Sequence, residues 1–203
     1  MNPVRLIAYS DYLCPWCYNA AVRLQRIEDE FGAQVYIEWR SYLLRPRPEP
    51  GRSLEKFRAY TESWLRPAAD ADAGTFRVWQ TDEGPPSHSI PPHLVAKAAA
   101  AISSAAFRRV HDRLLHVYFA ENRDITRDDN LRAIWRDCGL PDADFARRDD
   151  PAILQAVLAD HNEATELGVN GVPAVRMADT DTAIVGAHPL EMYRRWVAKR
   201  LNE

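Results

Sequence analysis

The chain has 203 residues, of which 46% are apolar and 27% charged, with a net charge of −3. This is the composition of an ordinary globular protein, long enough for one domain with a sizeable insertion or two small domains in close contact. The charge argues against nucleic acid or an anionic membrane as a partner, and no apolar run approaches the roughly 18 residues that span a bilayer.

The cysteine content and the start of the chain both bear on the compartment. There are three cysteines, Cys14, Cys17 and Cys138, too few for a framework of disulfides that holds a fold together. The first predicted strand begins near residue 4, which leaves no room for the apolar segment of a signal peptide. We therefore expect the chain as given to reside in the cytoplasm.

The first predicted elements form a strand–helix–strand unit. Residues 4–9 form a short apolar strand, and residues 18–31 carry apolar side chains at helical spacing up to Gly32. Residues 35–40 alternate apolar and polar side chains, as in a second strand. Short links make this a right-handed parallel unit, whose sites lie at the carboxyl ends of its strands.

The sequence Cys14-Pro15-Trp16-Cys17 lies between that first strand and the helix. Two cysteines separated by two residues at such a junction are suited to reversible thiol–disulfide exchange. We expect Cys14 to be the nucleophile, because free N–H groups and the helix dipole favour a thiolate at a helix start. Cys17, one helical turn later, would attack a mixed disulfide at Cys14, and Pro15 suits the first turn.

Zinc binding and a purely structural disulfide are the alternatives for this cysteine pair. A zinc site needs about four ligands, usually including a second pair at matching spacing. Cys138 has no Cys or His partner at such spacing, so we predict no metal site. The redox interpretation is favoured over a structural disulfide only if the rest of the fold supports it.

The middle of the chain is predicted to be mostly helical. Residues 45–51 are rich in proline and form an extended connector, and a polar loop covers about 66–90. The predicted helices run from a cap at Ser53 to about residue 65, from Pro91-Pro92 past Ala98, over residues 107–117, from a capping box of Thr126 and Asp129 to Gly139, and from Asp150-Pro151 to Gly168.

Strand signals return near the carboxyl end of the chain. Gly171-Val172-Pro173 precedes a strand over 174–177, a polar turn at 179–181 and a strand over 182–185, which together predict a hairpin. A last helix begins at Pro189. The predicted order is therefore βαβ, a helical block, then ββα.

A βαβ unit with Cys-Pro-x-Cys after its first strand, and Gly-Val-Pro before a late hairpin, resembles a thioredoxin fold. The helical block between the halves is similar to the DsbA-like branch, and within it to the FrnE-like cytosolic dithiol–disulfide oxidoreductases or isomerases. The resemblance implies an α/β fold with a thioredoxin-like domain (1–48 and 168–203) and a large all-helical insertion (52–167). It spans the whole chain through segments 10–18, 118–125, 168–175 and 186–189.

The resemblance also implies that Val172-Pro173 is a cis peptide facing the two sulfurs, with the Val172 backbone pairing with an extended substrate segment. The alternative is that Pro173 simply opens a strand. Pro15 and Trp16 are expected to tune thiolate stability and cover the site, although Trp16 is also explained as a surface contact. Asp11 is either a proton relay to Cys17 or a turn residue, and the sequence favours neither.

Three further side chains have reactive groups but receive structural interpretations. Cys138 falls on the apolar stripe of its predicted helix, which indicates a buried and inert thiol rather than another redox centre. His88 and His93 flank a proline-rich turn, so we expect exposed loop or cap residues, with lining of the cleft as the alternative. His188 is expected at the start of the last helix.

We therefore predict an enzyme that exchanges its Cys14–Cys17 pair with protein disulfides or thiols, with no cofactor other than that pair. Glutathione is a candidate co-substrate, and glutathione or a thioredoxin-type reductant a candidate partner. One rival is a glutathione-dependent isomerase or transferase of the kappa-class or 2-hydroxychromene-2-carboxylate type, which would need only one hydroxyl or thiol. Another is a non-catalytic chaperone or partner-binding module.

Overall fold

A four-stranded sheet forms one half of the protein in this computed structural model, which describes residues 3–202. Residues 1, 2 and 203, the outermost positions of the predicted thioredoxin-like domain, lie outside that range. The strands are β1 (Val4–Ser10), β2 (Val35–Ser41), β3 (Ala174–Met177) and β4 (Ile184–Val185), in the order β2–β1–β3–β4. β2 is parallel to β1, and the other pairings are antiparallel, which confirms the predicted βαβ unit and hairpin.

The second strand of the hairpin is shorter than predicted, with two residues instead of four. The guanidinium of Arg176 donates to three carbonyl oxygens between the end of β3 and β4, those of Met177, Ala178 and Thr180. Those carbonyls are therefore bound by a side chain rather than by a partner strand, and pairing resumes only at Ile184.

Helices α1 (Pro15–Phe31) and α8 (Leu190–Leu201) cover one face of the sheet. Leu24 and Ile27 of α1 pack with Tyr193 and Val197 of α8 and with the strands in one core cluster. Helix α1 begins three residues earlier than the predicted segment, at Pro15, and ends at Gly32 with a positive φ of 55°.

Six further helices lie between β2 and β3. Ser53 caps the first of them, its hydroxyl accepting from the Lys56 N–H at 3.2 Å, as predicted. The six are α2 (Leu54–Thr61), α3 (Leu65–Ala68), α4 (Ile90–Ala100), α5 (Ser104–Phe119), α6 (Asp128–Asp137) and α7 (Pro151–Glu166). Buried aromatic side chains, among them Trp64, Trp79 and Phe119, form the centre of their core.

The predicted capping box at Thr126 is wrong. The buried carboxylate of Asp124 accepts both from the Thr126 N–H, at 2.8 Å, and from its hydroxyl, at 2.6 Å. The same hydroxyl accepts from the Ser87 N–H at 3.4 Å, so it is committed outside the helix. Helix α6 starts instead after Arg127, whose side chain makes no capping bond.

Helix α7 packs on the sheet face opposite α1. Its Asp160 accepts from the Ser41 N–H at 2.9 Å, and its Glu163 accepts from the Tyr9 hydroxyl at 2.7 Å. Ala164 packs with Ile7 and Tyr9 in a third core cluster. The sheet is thus covered on both faces, and a division of the chain at residue 167 remains a prediction. No helix of the described chain is both long and apolar enough to cross a membrane.

Candidate active site

The cysteine pair lies where the carboxyl end of β1 meets the start of α1. Cys14 is the residue before the first helical position, and its sulfur accepts a hydrogen bond from the Cys17 N–H at 3.3 Å. The same N–H also donates to the Cys14 carbonyl oxygen at 3.1 Å, so the sulfur and the carbonyl share one donor. Pro15 occupies the adjacent position at no cost in hydrogen bonds. The Cys14 sulfur thus lies against a backbone donor of the first turn of α1.

Cys17 lies deeper than Cys14, and both are free thiols. Cys17 is inaccessible to solvent, whereas Cys14 retains 5% of its surface. Burial raises the pKa of the Cys17 thiol well above its ordinary value, and its hydrogen bond with the Cys14 side chain raises it further. The two sulfurs therefore have different surroundings, the first near the surface and the second held as a protonated thiol.

The start of β3 approaches the cysteine pair from the opposite side. The Cys14 thiol donates to the carbonyl oxygen of Val172 at 3.4 Å, and the Val172–Pro173 peptide bond is cis. Trp16 is 40% exposed beside them. The structure thus brings together Cys14, Cys17 and Val172, and leaves an aromatic ring accessible at the rim.

Asp11 is fully buried in the turn that leads to Cys14. Its two carboxylate oxygens accept from the backbone N–H groups of Leu13 and Leu44, both at 2.7 Å. Burial raises the pKa of Asp11 to about 6, although these hydrogen bonds act in the opposite direction. Asp11 is therefore a turn residue by its contacts and an acid that titrates near neutral pH, and its role as a proton relay remains a prediction.

Two polar residues of α1, neither of them a predicted site residue, bind the end of α3 and the loop that follows it. Asn19 donates to the carbonyl of Pro67 at 2.8 Å and accepts from the Gly74 N–H at 3.0 Å. Arg23 donates to the carboxylates of Asp70, at 2.6 Å, and Asp72, at 2.7 Å.

Arg23 also donates to the carbonyl of Ala187 before α8, at 2.9 Å. The same side chain therefore joins the loop after α3 to the carboxyl-terminal part of the chain. The i, i+4 spacing of Asn19 and Arg23 on one helix face was the available signal, but it is equally typical of an exposed face.

The predicted exposure of His93 is wrong. The side chain is buried on α4, with its ring 4.8 Å from that of Tyr12 in the turn before Cys14. Burial lowers the pKa of His93 to about 3, so the ring is neutral. His111 of α5 also contacts this turn, because its Nδ1 lies 2.9 Å from the Tyr12 hydroxyl. The helical block thus packs directly on the turn that leads to Cys14.

The other reactive side chains have structural surroundings. His88 is half-buried and hydrogen-bonded to the Ser87 hydroxyl at 2.8 Å. His188 lies just before α8, as predicted, with Nε2 3.2 Å from the Val185 carbonyl oxygen. Cys138 is buried, as predicted, and burial raises its pKa to about 11. Across residues 3–202, no group of three or more His, Cys, Asp or Glu side chains is placed to hold a metal.

The sheet order, the inserted helices and the cysteine pair beside a cis-proline define a thioredoxin-like protein of the DsbA type. The sequence model of the DSBA-like thioredoxin domain matches residues 5–198. The chain therefore belongs to the DSBA-like thioredoxin domain family.

Two curated relatives match most of the chain. The uncharacterized protein YwbO of Bacillus subtilis is 24% identical over 211 residues, which cover 96% of each chain. The ClpXP adapter protein SpxH of Shouchella clausii is 24% identical over 204 residues, which cover 95% of this chain and 65% of SpxH.

Solved structures match the fold over nearly the whole length. A candidate protein disulfide isomerase from Nitrosomonas europaea superimposes with a TM-score of 0.81 at 18% identity, covering 98% of both chains. The cytosolic disulfide reductase DsbM from Pseudomonas aeruginosa, solved with glutathione, gives 0.78 at 17% identity over 98% of this chain and 100% of DsbM. A 2-hydroxychromene-2-carboxylate isomerase gives 0.67 at 16% identity, over 97% and 96%. These likenesses show the fold alone.

Proposed function

We propose that this protein is a dithiol–disulfide oxidoreductase in which Cys14 is the nucleophile and Cys17 the resolving thiol. The observation that carries the proposal is the position of the Cys14 sulfur at the start of α1, within hydrogen-bond distance of the Cys17 N–H. Family membership over residues 5–198 supports the same activity.

The reaction balances without a further cofactor. The Cys14 thiolate attacks one sulfur of a substrate disulfide, which forms a mixed disulfide and releases the other substrate sulfur as a thiolate. Cys17 then loses its proton and attacks the Cys14 sulfur. This step closes the Cys14–Cys17 disulfide and releases the second substrate thiolate. The substrate gains two electrons and the cysteine pair loses two, and the same steps in reverse oxidise a substrate dithiol.

Asp11 is our candidate for the group that accepts the proton of Cys17, directly or through water. Its pKa of about 6 leaves it ionised near neutral pH, and it belongs to the turn that precedes Cys14. In Asp11→Asn we expect the resolving step to slow by about a hundredfold, the lower end of general-base effects, while formation of the mixed disulfide changes little. Stopped-flow measurement of both steps would separate this role from a purely structural one, which would slow neither step selectively.

Substrates are proposed to bind across Pro15, Trp16, Val172 and Pro173. Trp16 is accessible, and the Val172 carbonyl, which accepts from the Cys14 thiol in this structure, is freed once that sulfur enters a mixed disulfide. An extended protein segment could then pair with the Val172 backbone. Within the family, we assign the protein to the FrnE-like oxidoreductases on its sequence resemblance.

Cysteine variants test the proposal. We expect Cys14→Ser to abolish reduction of insulin disulfides, and Cys17→Ser to accumulate mixed disulfides visible by mass spectrometry. Cys138→Ser is the matched control, since its thiol lies outside the pair, and it should retain turnover. Full turnover in Cys14→Ser would refute the mechanism.

Glutathione is our candidate reductant, and the cytoplasm our candidate location. Both are supported by the structural likeness to DsbM, a cytosolic reductase solved with glutathione. To test glutathione as the reductant, the oxidised protein is equilibrated with glutathione buffers of known potential. The fractions with and without the Cys14–Cys17 disulfide are then measured. Fractionation of cells that express the chain tests the second.

Two other functions have a relative in their favour. The fold of 2-hydroxychromene-2-carboxylate isomerase supports a glutathione-dependent isomerase, whose activity should survive in Cys17→Ala because it needs one sulfur-binding group. The relative SpxH, an adapter protein, supports a partner-binding module. That function predicts binding unaffected by replacement of both cysteines.

A further inference from the structure

A cavity of about 530 Å³ lies between α1, β2, α4 and α5. None of the four residues proposed to bind substrate, and neither cysteine of the pair, lines it. Its volume is within the range of small-molecule sites, roughly 300–1,000 Å³. Three aromatic side chains contribute to the walls, together with small apolar residues; the aromatic ones are Tyr36, Trp39 and Phe107.

Most charged groups that line this cavity already have partners. Glu28 accepts from Arg108 at 2.7 Å, and Lys97 lies 2.5 Å from Asp160, outside the cavity. Glu38 is paired with both Arg5 and Arg40. These pairs leave little net charge at the mouth of the cavity.

Asp112 is the exception among the charged lining residues. Within residues 3–202, no hydrogen bond or ion pair is formed by its carboxylate. The side chain is exposed to solvent at the edge of the cavity, and the positive charge of Arg108, another lining residue, acts on its carboxylate without a direct hydrogen bond. An unpaired carboxylate beside aromatic rings is the arrangement that attracts an organic cation, through charge-assisted hydrogen bonding and cation–π contact.

The inner end of the cavity offers an unused hydrogen-bonding group. His111 is buried, and its Nε2 has no hydrogen-bond partner. Burial lowers the pKa of His111 to about 3 and raises that of Tyr12 well above its ordinary value, so both are neutral. If the Tyr12 hydroxyl donates to Nδ1, Nε2 carries a hydrogen that needs an acceptor. A buried polar group without a partner costs about 1–3 kcal/mol.

A second chamber of about 20 Å³ continues inward from the large cavity. It shares the side chains of Trp39, Phe107 and His111 with the outer cavity. His93, whose Nε2 is also buried without a partner, lines it as well. The cavity that Asp112 lines therefore shares side chains with the small chamber at which both unsatisfied imidazole nitrogens lie.

We propose that this cavity binds a small aromatic amine, with its ring against Trp39 and Phe107, its ammonium at Asp112 and a hydroxyl at His111. The site goes beyond the redox activity proposed above and does not depend on it. Its ligand is defined by three features of the cavity: a carboxylate with no direct partner, aromatic side chains in the walls, and the buried Nε2 of His111, which lacks a hydrogen-bond partner.

Tyramine is the first probe, because it carries an aromatic ring, an ammonium and a hydroxyl. Calorimetric titration of the reduced full-length chain should show saturable binding at one site. 3-(4-Hydroxyphenyl)propionate has the same ring and hydroxyl but an anionic end, and should not bind. 2-Phenylethylamine lacks only the hydroxyl and should bind several-fold more weakly. Equal binding of the anion, or no tyramine binding, would overturn the proposal.

Paired variants locate the probe. Asp112→Asn should weaken tyramine binding by about 10- to 100-fold, the loss expected for a hydrogen bond to a charged group. Asp181→Asn is the matched control: it removes an exposed carboxylate that does not line the cavity, and should leave the affinity within about twofold. Ala105→Trp, at an exposed lining position, should block the cavity sterically. Unchanged affinity in both Asp112→Asn and Ala105→Trp would place the probe elsewhere and refute the site.

Discussion

The thiol of Cys14 donates a hydrogen bond to the carbonyl oxygen of Val172 at 3.4 Å, although 158 positions separate the two residues. The central strand accounts for this proximity. Tyr9 of β1 is paired with Ala174 of β3, so the end of one strand and the start of the other lie at the same edge of the sheet. The surroundings of Cys14 therefore depend on both ends of the chain.

Alkylation should distinguish the three thiols of the folded protein. We expect iodoacetamide to modify Cys14 of the reduced chain first at about pH 8, because its sulfur accepts a backbone N–H at the start of α1 and is not fully buried. Cys17 and Cys138 should react at least about a hundredfold more slowly, since burial raises the pKa of both thiols. Peptide mass mapping over time gives the order. Equal rates for Cys14 and Cys17 would contradict the assignment of roles, and denatured protein, in which all three react, is the control.

Asp11 should make stability depend on pH in a predictable direction. Its pKa is about 6 in the folded chain against an ordinary value of 3.8, so folding takes up a proton between those pH values. The contribution of Asp11 to the free energy of unfolding is therefore greatest at low pH and falls as the pH rises through 6. Between about pH 4 and pH 8, wild type should lose about 2.5 kcal/mol more than Asp11→Asn.

Urea titrations of both proteins across that range measure the difference. Asparagine cannot accept both hydrogen bonds, so Asp11→Asn loses the one from Leu13 or Leu44 at every pH. This constant loss does not affect how steeply the free energy of unfolding changes with pH, which is the quantity compared. Other acids with raised pKa values, such as Asp112 and Asp124, contribute equally to the two curves. Parallel curves would show that Asp11 has the same pKa in the folded and unfolded chains.

Gly74 should tolerate no larger residue. A Cβ atom at this position would lie 2.6 Å from ring carbons of Tyr18, which follows Cys17 on α1. Gly74→Ala should lower the free energy of unfolding by about 1–3 kcal/mol, the usual cost of overpacking. Gly84→Ala is the control, because a Cβ there meets nothing within 4 Å. Equal midpoints of denaturation for the two variants would mean that the loop moves away freely from α1.

Arg23 should stabilise the protein through contacts with distant segments. Replacement by methionine keeps much of the buried stem and removes the bonds to Asp70, Asp72 and Ala187. We expect a loss of about 1.5–3 kcal/mol, as for hydrogen bonds between charged groups. Arg26→Met, at an exposed position one turn away, should change stability by less than about 0.5 kcal/mol. Chemical denaturation gives the free energy of unfolding of both variants. Equal losses in Arg23→Met and Arg26→Met would show that the contacts of Arg23 add no stability beyond helix propensity.

Residues whose environment is local were predictable. The alternation in β2, the proline at the start of α1 and the serine cap of α2 act within a few residues, and each is found as expected. The cap predicted at Thr126 failed because Asp124, only two residues away, competes for the same hydroxyl. Local patterns name the possible donors and acceptors, and geometry selects among them.

Burial by distant segments was not predictable. His93 follows two prolines at the start of a helix, a position typical of exposed residues, but Tyr12 packs against its ring. Helix α7 has the periodicity of any amphipathic helix, and nothing in that pattern shows that Asp160 reaches the Ser41 N–H across the sheet. Such contacts depend on how elements pack, which the spacing along one helix does not encode.

The sequence by itself determined the reactive groups, because a Cys-Pro-Trp-Cys segment between a strand and a helix places one sulfur at the helix start whatever surrounds it. Only the tertiary structure decided how deeply each sulfur is buried, which carbonyl faces Cys14 and which acid has a pKa near 6. The physical reason is that solvation and hydrogen bonding of a group depend on every segment that packs against it. For Cys14, one such segment lies 158 positions away along the chain.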